Sequence, residues 1–149
     1  MDKKITDWKY IGIFLDKMSS DKLRRYLQNP VLKDGIMDGD EWKVYCNHMT
    51  LAYNDGSKDV QKIFNYYQKS IGDTRDLSMV AIGASDKAIA AKIDYEDKIS
   101  NTIAHVTMAV SPTGKPVDSN QITNWLPLEK PVILYGMVAY FGKDKIIHF

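Results

Sequence analysis

The sequence predicts an α+β or mixed α/β fold with a pseudo-twofold between its halves, the two repeated strand motifs facing one cleft. Short apolar runs of period two, bounded by turn residues, stand in adjacent pairs as well as between helices, which argues against a simple parallel repeat. Helical spacing is confined to a few stretches on polar-faced segments. Two strand-like runs carry the same short pattern, 57 residues apart, as if each filled the same slot in its half of the chain.

The elements follow from the chain in order. Residues 8–16 read as a strand with Ile11, Ile13 and Leu15 on one face and Tyr10, Gly12 and Phe14 on the other, the glycine marking a close approach. Ser20 is a candidate N-cap for a helix carrying Leu23, Tyr26 and Leu27, ended by Asn29 and Pro30. Residues 33–41, with two glycines and several acids, read as a loop, and residues 44–53 as a strand. Ser57 caps a second helix with Val60, Ile63, Phe64, Tyr67 and Ile71 on its apolar stripe, ending at Gly72. Residues 72–76 form a loop, and 77–83 and 88–95 a strand pair with Ile89, Ala91, Ile93 and Tyr95 on one face. A strand near 104–110 follows. The prolines and glycine of 111–116 break regular structure. Asp118 and Gln121 have the form of a helix start, with Ile122, Trp125 and Leu126 on one face. A long strand over 132–141 turns at 142–144 into a last strand ending at His148, read as a terminal surface histidine.

A chain of 149 residues is expected to be a single domain over 1–149 with a real core. Its 44% hydrophobic and 26% charged residues are those of a soluble globular protein. A net charge of +1 excludes the strongly basic footprint needed to grip long nucleic acid, while a small anionic ligand needs only a few local donors. Cys46 is the only cysteine, so no internal disulfide forms and a reducing compartment is expected. No run approaches the roughly eighteen apolar residues of a membrane span, and no apolar leader core follows the first residues. The expected location is the cytoplasm.

The repeated pattern is His48-Met49-Thr50 and His105-Val106-Thr107. On a strand the histidine and threonine share a face, with Tyr45, Met49, Leu51 and Tyr53 opposite the first pair and Ala104, Val106, Met108 and Val110 opposite the second. For two of three histidines to be followed in this way is a chance event on the order of one in a hundred. Two half-buried histidines bonded within a sheet are the plain alternative. The repetition favours one shared site.

Two imidazoles, each beside a hydroxyl, suit transfer at a phosphodiester without a metal. One ring accepts a proton while the other donates one, and the hydroxyls meet the charge that builds on the phosphate oxygens. In the in-line form a ribose 2'-hydroxyl attacks its own 3'-phosphate. The residues alone do not assign base and acid. A metal site of Cys46, His48 and His105 is the rival use of the same residues, but zinc wants a fuller ligand set, so no metal and no other cofactor is expected.

The paired motifs, with Asp7-Trp8-Lys9-Tyr10-Ile11-Gly12 running into Phe14-Leu15-Asp16 and with Trp42-Lys43-Val44-Tyr45-Cys46-Asn47 before His48, resemble the two-histidine (2H) phosphoesterase superfamily. Within it the chain looks most like the phage anti-CBASS phosphodiesterases. The resemblance implies cleavage of 3'-5' bonds in cyclic di- and trinucleotide immune signals such as 3',3'-cyclic GMP-AMP, in the cytoplasm of an infected host. It implies a two-lobed fold with central antiparallel sheets forming the cleft and helices on the outside, with His48 and His105 as the acid/base pair and Thr50 and Thr107 as phosphate donors. It also implies Tyr10 as the aromatic against a nucleobase, sheet packing being that residue's other use, and a lid at 72–76 or 111–115. The alternatives are an RNA-end enzyme opening 2',3'-cyclic phosphates or processing tRNA, and a cyclic-nucleotide sponge without turnover.

Overall fold

Alternation of apolar residues builds the first strand and decides which way it faces. In β1 (Tyr10–Leu15), Ile11 and Ile13 are fully buried in the main core, and Tyr10, Gly12 and Phe14 occupy the other face. The computed structural model describes residues 5–39, 41–142 and 145–147. The further strands are β2 (Lys43–Val44), β3 (His48–Tyr53), β4 (Thr74–Ala84), β5 (Ala88–Asp94), β6 (His105–Val110), β7 (Trp125–Phe141) and β8 (Ile146–Ile147).

Every strand pair is antiparallel, in the order β1-β3-β6-β5-β4-β7, and β7 returns to pair with β1, so six strands close into a barrel. The length of β7 makes closure possible: its earlier part pairs with β4, its later part with β1, and Gly136 and Met137 pair with both. A Cβ at Gly136 would stand 2.7 Å from the Phe14 carbonyl oxygen, so only glycine lets the seam close this tightly. The α+β, antiparallel character matches the sequence. The sheets expected of two lobes are joined into one ring.

Two α-helices cover the core face. α1 (Lys17–Tyr26) starts earlier than a Ser20 cap would place it, because Asp16 accepts the Ser19 N–H at 2.8 Å and serves as N-cap. The Ser20 hydroxyl instead donates to the Cys46 carbonyl at 2.7 Å. α2 (Lys58–Gln68) is capped by Ser57, as its sequence predicts. Leu23 and Leu27 of the first helical segment and Val60, Phe64 and Tyr67 of the second share one core with Ile11, Ile13, Met49, Leu51, Val106 and Met108. Each fully buried side chain of this kind contributes about 1.5–3 kcal/mol.

Three expectations need correction. Within the expected loop 33–41, Val31–Met37 forms a wide, π-type helical turn, ended by Asp38 in the left-handed region at φ 45°. The helix expected from Asp118 is a 3₁₀ turn at Pro116–Gln121, begun where the Asp118 carboxylate accepts the Lys115 N–H, and Trp125 and Leu126 already belong to β7. That strand runs through Pro127 and Pro131 because Ala81 pairs with Pro127 and Met79 with Val132, leaving a bulge in which Pro131 needs no N–H. His148 and the turn residues 143–144 lie outside the described residues. Among the described residues no helix is long and apolar enough to cross a membrane.

Candidate active site

The site begins with the pairing of β3 and β6, in which Met49 stands opposite Val106. These are the middle residues of the two motifs. Antiparallel register therefore sets His48 opposite Thr107 and Thr50 opposite His105, a crossed arrangement with a local twofold between them. The likeness continues past the threonines. β1 pairs Ile11 with Ala52 and Gly12 with Thr50, leaving Leu51 extra; β5 pairs Ile89 with Ala109 and Ala90 with Thr107, leaving Met108 extra. Each bulge puts two successive residues, Leu51 with Ala52 and Met108 with Ala109, into the core.

The bulges move side chains that simple alternation places wrongly. Beyond Leu51 the faces exchange, so Tyr53, expected with Met49 and Leu51, is 63% exposed and lines the cleft. Upstream, Val44 pairs with Ala109 and Met49 with Val106, so the β2–β3 segment carries two residues more than its partner. Cys46 lies in this irregularity at φ 52°, and its neighbour Tyr45 also lines the cleft. The strand pattern predicts that Cys46 shares a face with His48; instead Cys46 turns into the core while His48 lines the cleft. The cysteine is fully buried, its Sγ–H donates to the Met108 carbonyl at 3.4 Å, and burial pushes its thiol pKa up to about 12. Among the described residues no three of His, Cys, Asp and Glu gather in a metal-binding cluster.

A cavity of about 600 Å³ is lined by Tyr10, Tyr45, Asn47, His48, Thr50, Tyr53, Asn101, His105, Thr107, Pro116, Val117 and Asn120. It brings together all five residues singled out in the sequence: His48, Thr50, His105, Thr107 and Tyr10. The His48 ring packs against both Tyr10, at 4.9 Å, and Phe14, at 5.2 Å, each tilted 21° from it, and those two rings are 6.0 Å from each other. Tyr10 also stacks on Phe141, so much of its ring is engaged within the sheet.

Both imidazoles are held through Nδ1. His105 Nδ1 donates to the Ile103 carbonyl at 2.8 Å, which fixes the tautomer, because a carbonyl only accepts, and leaves Nε2 for other work. His48 Nδ1 is 2.7 Å from Asn47 Oδ1, which can play the same part. Burial lowers the His48 pKa to about 4, with nearby His105 adding to the shift. Burial also lowers that of His105, against the opposing pull of the Ile103 carbonyl. Both rings are therefore neutral at pH 7. Thr107 Oγ1 lies 2.9 Å from Ser119 Oγ, on the 3₁₀ turn. Two imidazoles with available Nε2 atoms, each across from a hydroxyl, can exchange protons with a bound diester and hydrogen-bond its oxygens.

Sequence reading missed Asn47, Asn101, Asn120 and Ser119. Asn47 adjoins the first motif and is the one with a local signal; the others come from irregular segments brought in by the path of the chain. Of the two candidate lids, residues 72–76 are held in the sheet: Thr74, Arg75 and Asp76 pair with β7, and Gly72 and Asp73 bond Val138. The cleft wall near the second begins just after it, at Pro116 and at Val117, which is 60% exposed.

No family model matches the chain, and no curated protein sequence matches it. Among solved structures the chain is similar to a fungal RNA kinase, with a TM-score of 0.57 and 14% identity over 95% of this chain and 45% of the other. The chain thus spans less than half the length of that protein, and at this identity the likeness is one of fold.

Proposed function

We propose that this chain is a phosphodiesterase of the 2H type that needs no metal, opens 3'-5' bonds of small cyclic oligonucleotides such as 3',3'-cyclic GMP-AMP, and so removes an immune signal in an infected cell. The observation that carries the reading is the crossed register of the two motifs, which sets each histidine opposite the other motif's threonine at the floor of one cavity. A cavity of about 600 Å³ lies within the usual range for small-molecule sites. Its lining offers aromatic faces, amides and hydroxyls without a basic stripe for a longer strand.

His48, the more strongly held neutral, takes the proton of the ribose 2'-hydroxyl. The 2'-oxygen bonds to phosphorus, the bond from phosphorus to O5' breaks, and His105 supplies the proton to O5'. Its Nδ1–H on the Ile103 carbonyl favours the imidazolium this role requires. Thr50 and Thr107 donate to the non-bridging oxygens. The product is a linear oligonucleotide ending in a 2',3'-cyclic phosphate. A second reading, the opening of 2',3'-cyclic phosphates at RNA ends, takes its support from the fold likeness to a protein described as an RNA kinase.

The test is incubation of the purified protein with 3',3'-cyclic GMP-AMP and its 2'-deoxy analogue in excess EDTA. Linear product from the ribo form alone, abolished by His48→Ala or His105→Ala and reduced about ten- to a thousandfold by Thr50→Ala or Thr107→Ala, is the expected result. Cleavage of both forms would remove the 2'-hydroxyl as nucleophile. Cleavage of neither, with opening of a 2',3'-cyclic RNA end, would favour the second reading, and tight binding without turnover would make the chain a sponge.

A further inference from the structure

A second cavity, of about 500 Å³, adjoins the first, and Asn101, His105 and Asn120 line both. Its remaining lining comes from residues 100–103 and 119–125 and contains no ionisable side chain other than His105 itself. Hydroxyls and amides surround it, among them Thr102, Gln121 and Thr123, with the Trp125 ring at one side. Space of this kind, lined by hydroxyls and amides beside an aromatic ring, suits a neutral, flat group rich in donors and acceptors. The small side chains Ala88 and Ala90 let Ile122 and Trp125 pack on β5, and a Cβ on Gly83 would stand 2.5 Å from the Trp125 ring, so this wall is built into the sheet.

We propose that the second cavity is a specificity subsite for the leaving nucleoside, the one whose O5' departs. The inference rests on the phosphodiesterase reading above and deepens it. His105 is the common wall, so the oxygen it protonates is the point at which the substrate passes from one cavity to the other. The nucleoside carrying the attacking 2'-hydroxyl stays on the His48 side. The leaving nucleoside enters between 100–103 and 119–125, where Gln121 and Thr123 meet its polar edge.

The test compares 3',3'-cyclic GMP-AMP with adenosine 3'-methyl phosphate, which keeps the 2'-hydroxyl and the diester but releases only methanol. Gln121→Ala and Thr123→Trp alter residues that line the second cavity alone. Both variants are expected to lower kcat/KM for the cyclic dinucleotide tenfold or more and to leave that for the methyl ester within twofold. Wild-type kcat/KM should itself be at least a hundredfold lower for the methyl ester. Equal losses on both substrates, or none on either, would overturn the subsite while the phosphodiesterase reading stands. If the wild type cleaves neither compound, that reading falls and takes the subsite with it.

Discussion

Thr107 Oγ1 and Ser119 Oγ stand 2.9 Å apart, the first at the cleft and the second almost completely buried. Each hydroxyl has a single proton, so Thr107 can point its own at a bound phosphate only while it accepts from Ser119. Ser119 is thus a positioning residue. Ser119→Ala should lower kcat about three- to tenfold with KM little changed, a fraction of the loss of a whole oxyanion donor. The double variant Ser119→Ala/Thr107→Ala should be no worse than Thr107→Ala alone. Additive losses in that cycle would show that Ser119 acts on the fold and not through Thr107.

Gly12 sits against the backbone that carries His48. A Cβ there would lie 2.6 Å from the Met49 carbonyl oxygen, and backbone cannot swing aside as a long side chain can. Gly12→Ala should separate β1 from β3 and disturb the ring stack that holds His48. Expected are a lowered urea midpoint and a loss of turnover beyond what the lost stability explains. Wild-type values for both would mean that the strands yield more easily than this contact implies.

The two motifs are legible in the sequence because alternation survives intact over His48, Met49 and Thr50 and over His105, Val106 and Thr107. The residues just beyond them are not. A bulge is created by pairing with the next strand, so nothing in the spacing of Leu51, Ala52 and Tyr53 shows that the faces exchange there. The start of α1 is misread for a related reason: Asp16 and Ser20 are both good caps, and the competing bond from Ser20 to Cys46, distant in sequence, decides between them. Ser119, Asn101 and Asn120 carry no periodic signal and reach the site through the folded path of irregular chain. The closed barrel is hidden for the same reason: residues 132–141 read as one strand, and nothing in their spacing shows that the earlier part pairs with β4 and the later part with β1.

Acid should destabilise the protein through its histidines. The native state holds His48 at a pKa of about 4, against an ordinary value of 6.5 in the unfolded chain. Above pH 6.5 neither state binds the proton and the contribution of the neutral ring is fully present. Between 6.5 and 4 the unfolded chain takes up a proton that the native site refuses, so stability falls as the pH is lowered. Urea midpoints at pH 7 and pH 4.5 should therefore differ more for the wild type than for His48→Gln. Equal differences would mean that the ring is not held neutral.

The rate should peak on the acid side of neutrality. Turnover needs one ring neutral and one protonated, and both pKa values in the free protein lie below the ordinary 6.5. A bell-shaped kcat/KM with its maximum between about pH 4 and 6.5 is expected. A maximum above pH 7 would show that groups other than this pair govern the reaction.

A pH profile does not say which ring gives the proton, because exchanging the roles leaves the same two limbs. The leaving group does. A 4-nitrophenolate departs without protonation, so adenosine 3'-(4-nitrophenyl phosphate) relieves the need for an acid but not for a base. If His105 protonates O5', His105→Ala should recover at least a hundredfold of its loss with this ester, since general acid catalysis is worth about 10²–10⁴. His48→Ala should recover little, because the 2'-hydroxyl must still lose its proton. Recovery by His48→Ala instead would reverse the assignment and move the leaving nucleoside away from His105. Recovery by neither would mean that each histidine is needed before bond cleavage, in placing the phosphate between Thr50 and Thr107.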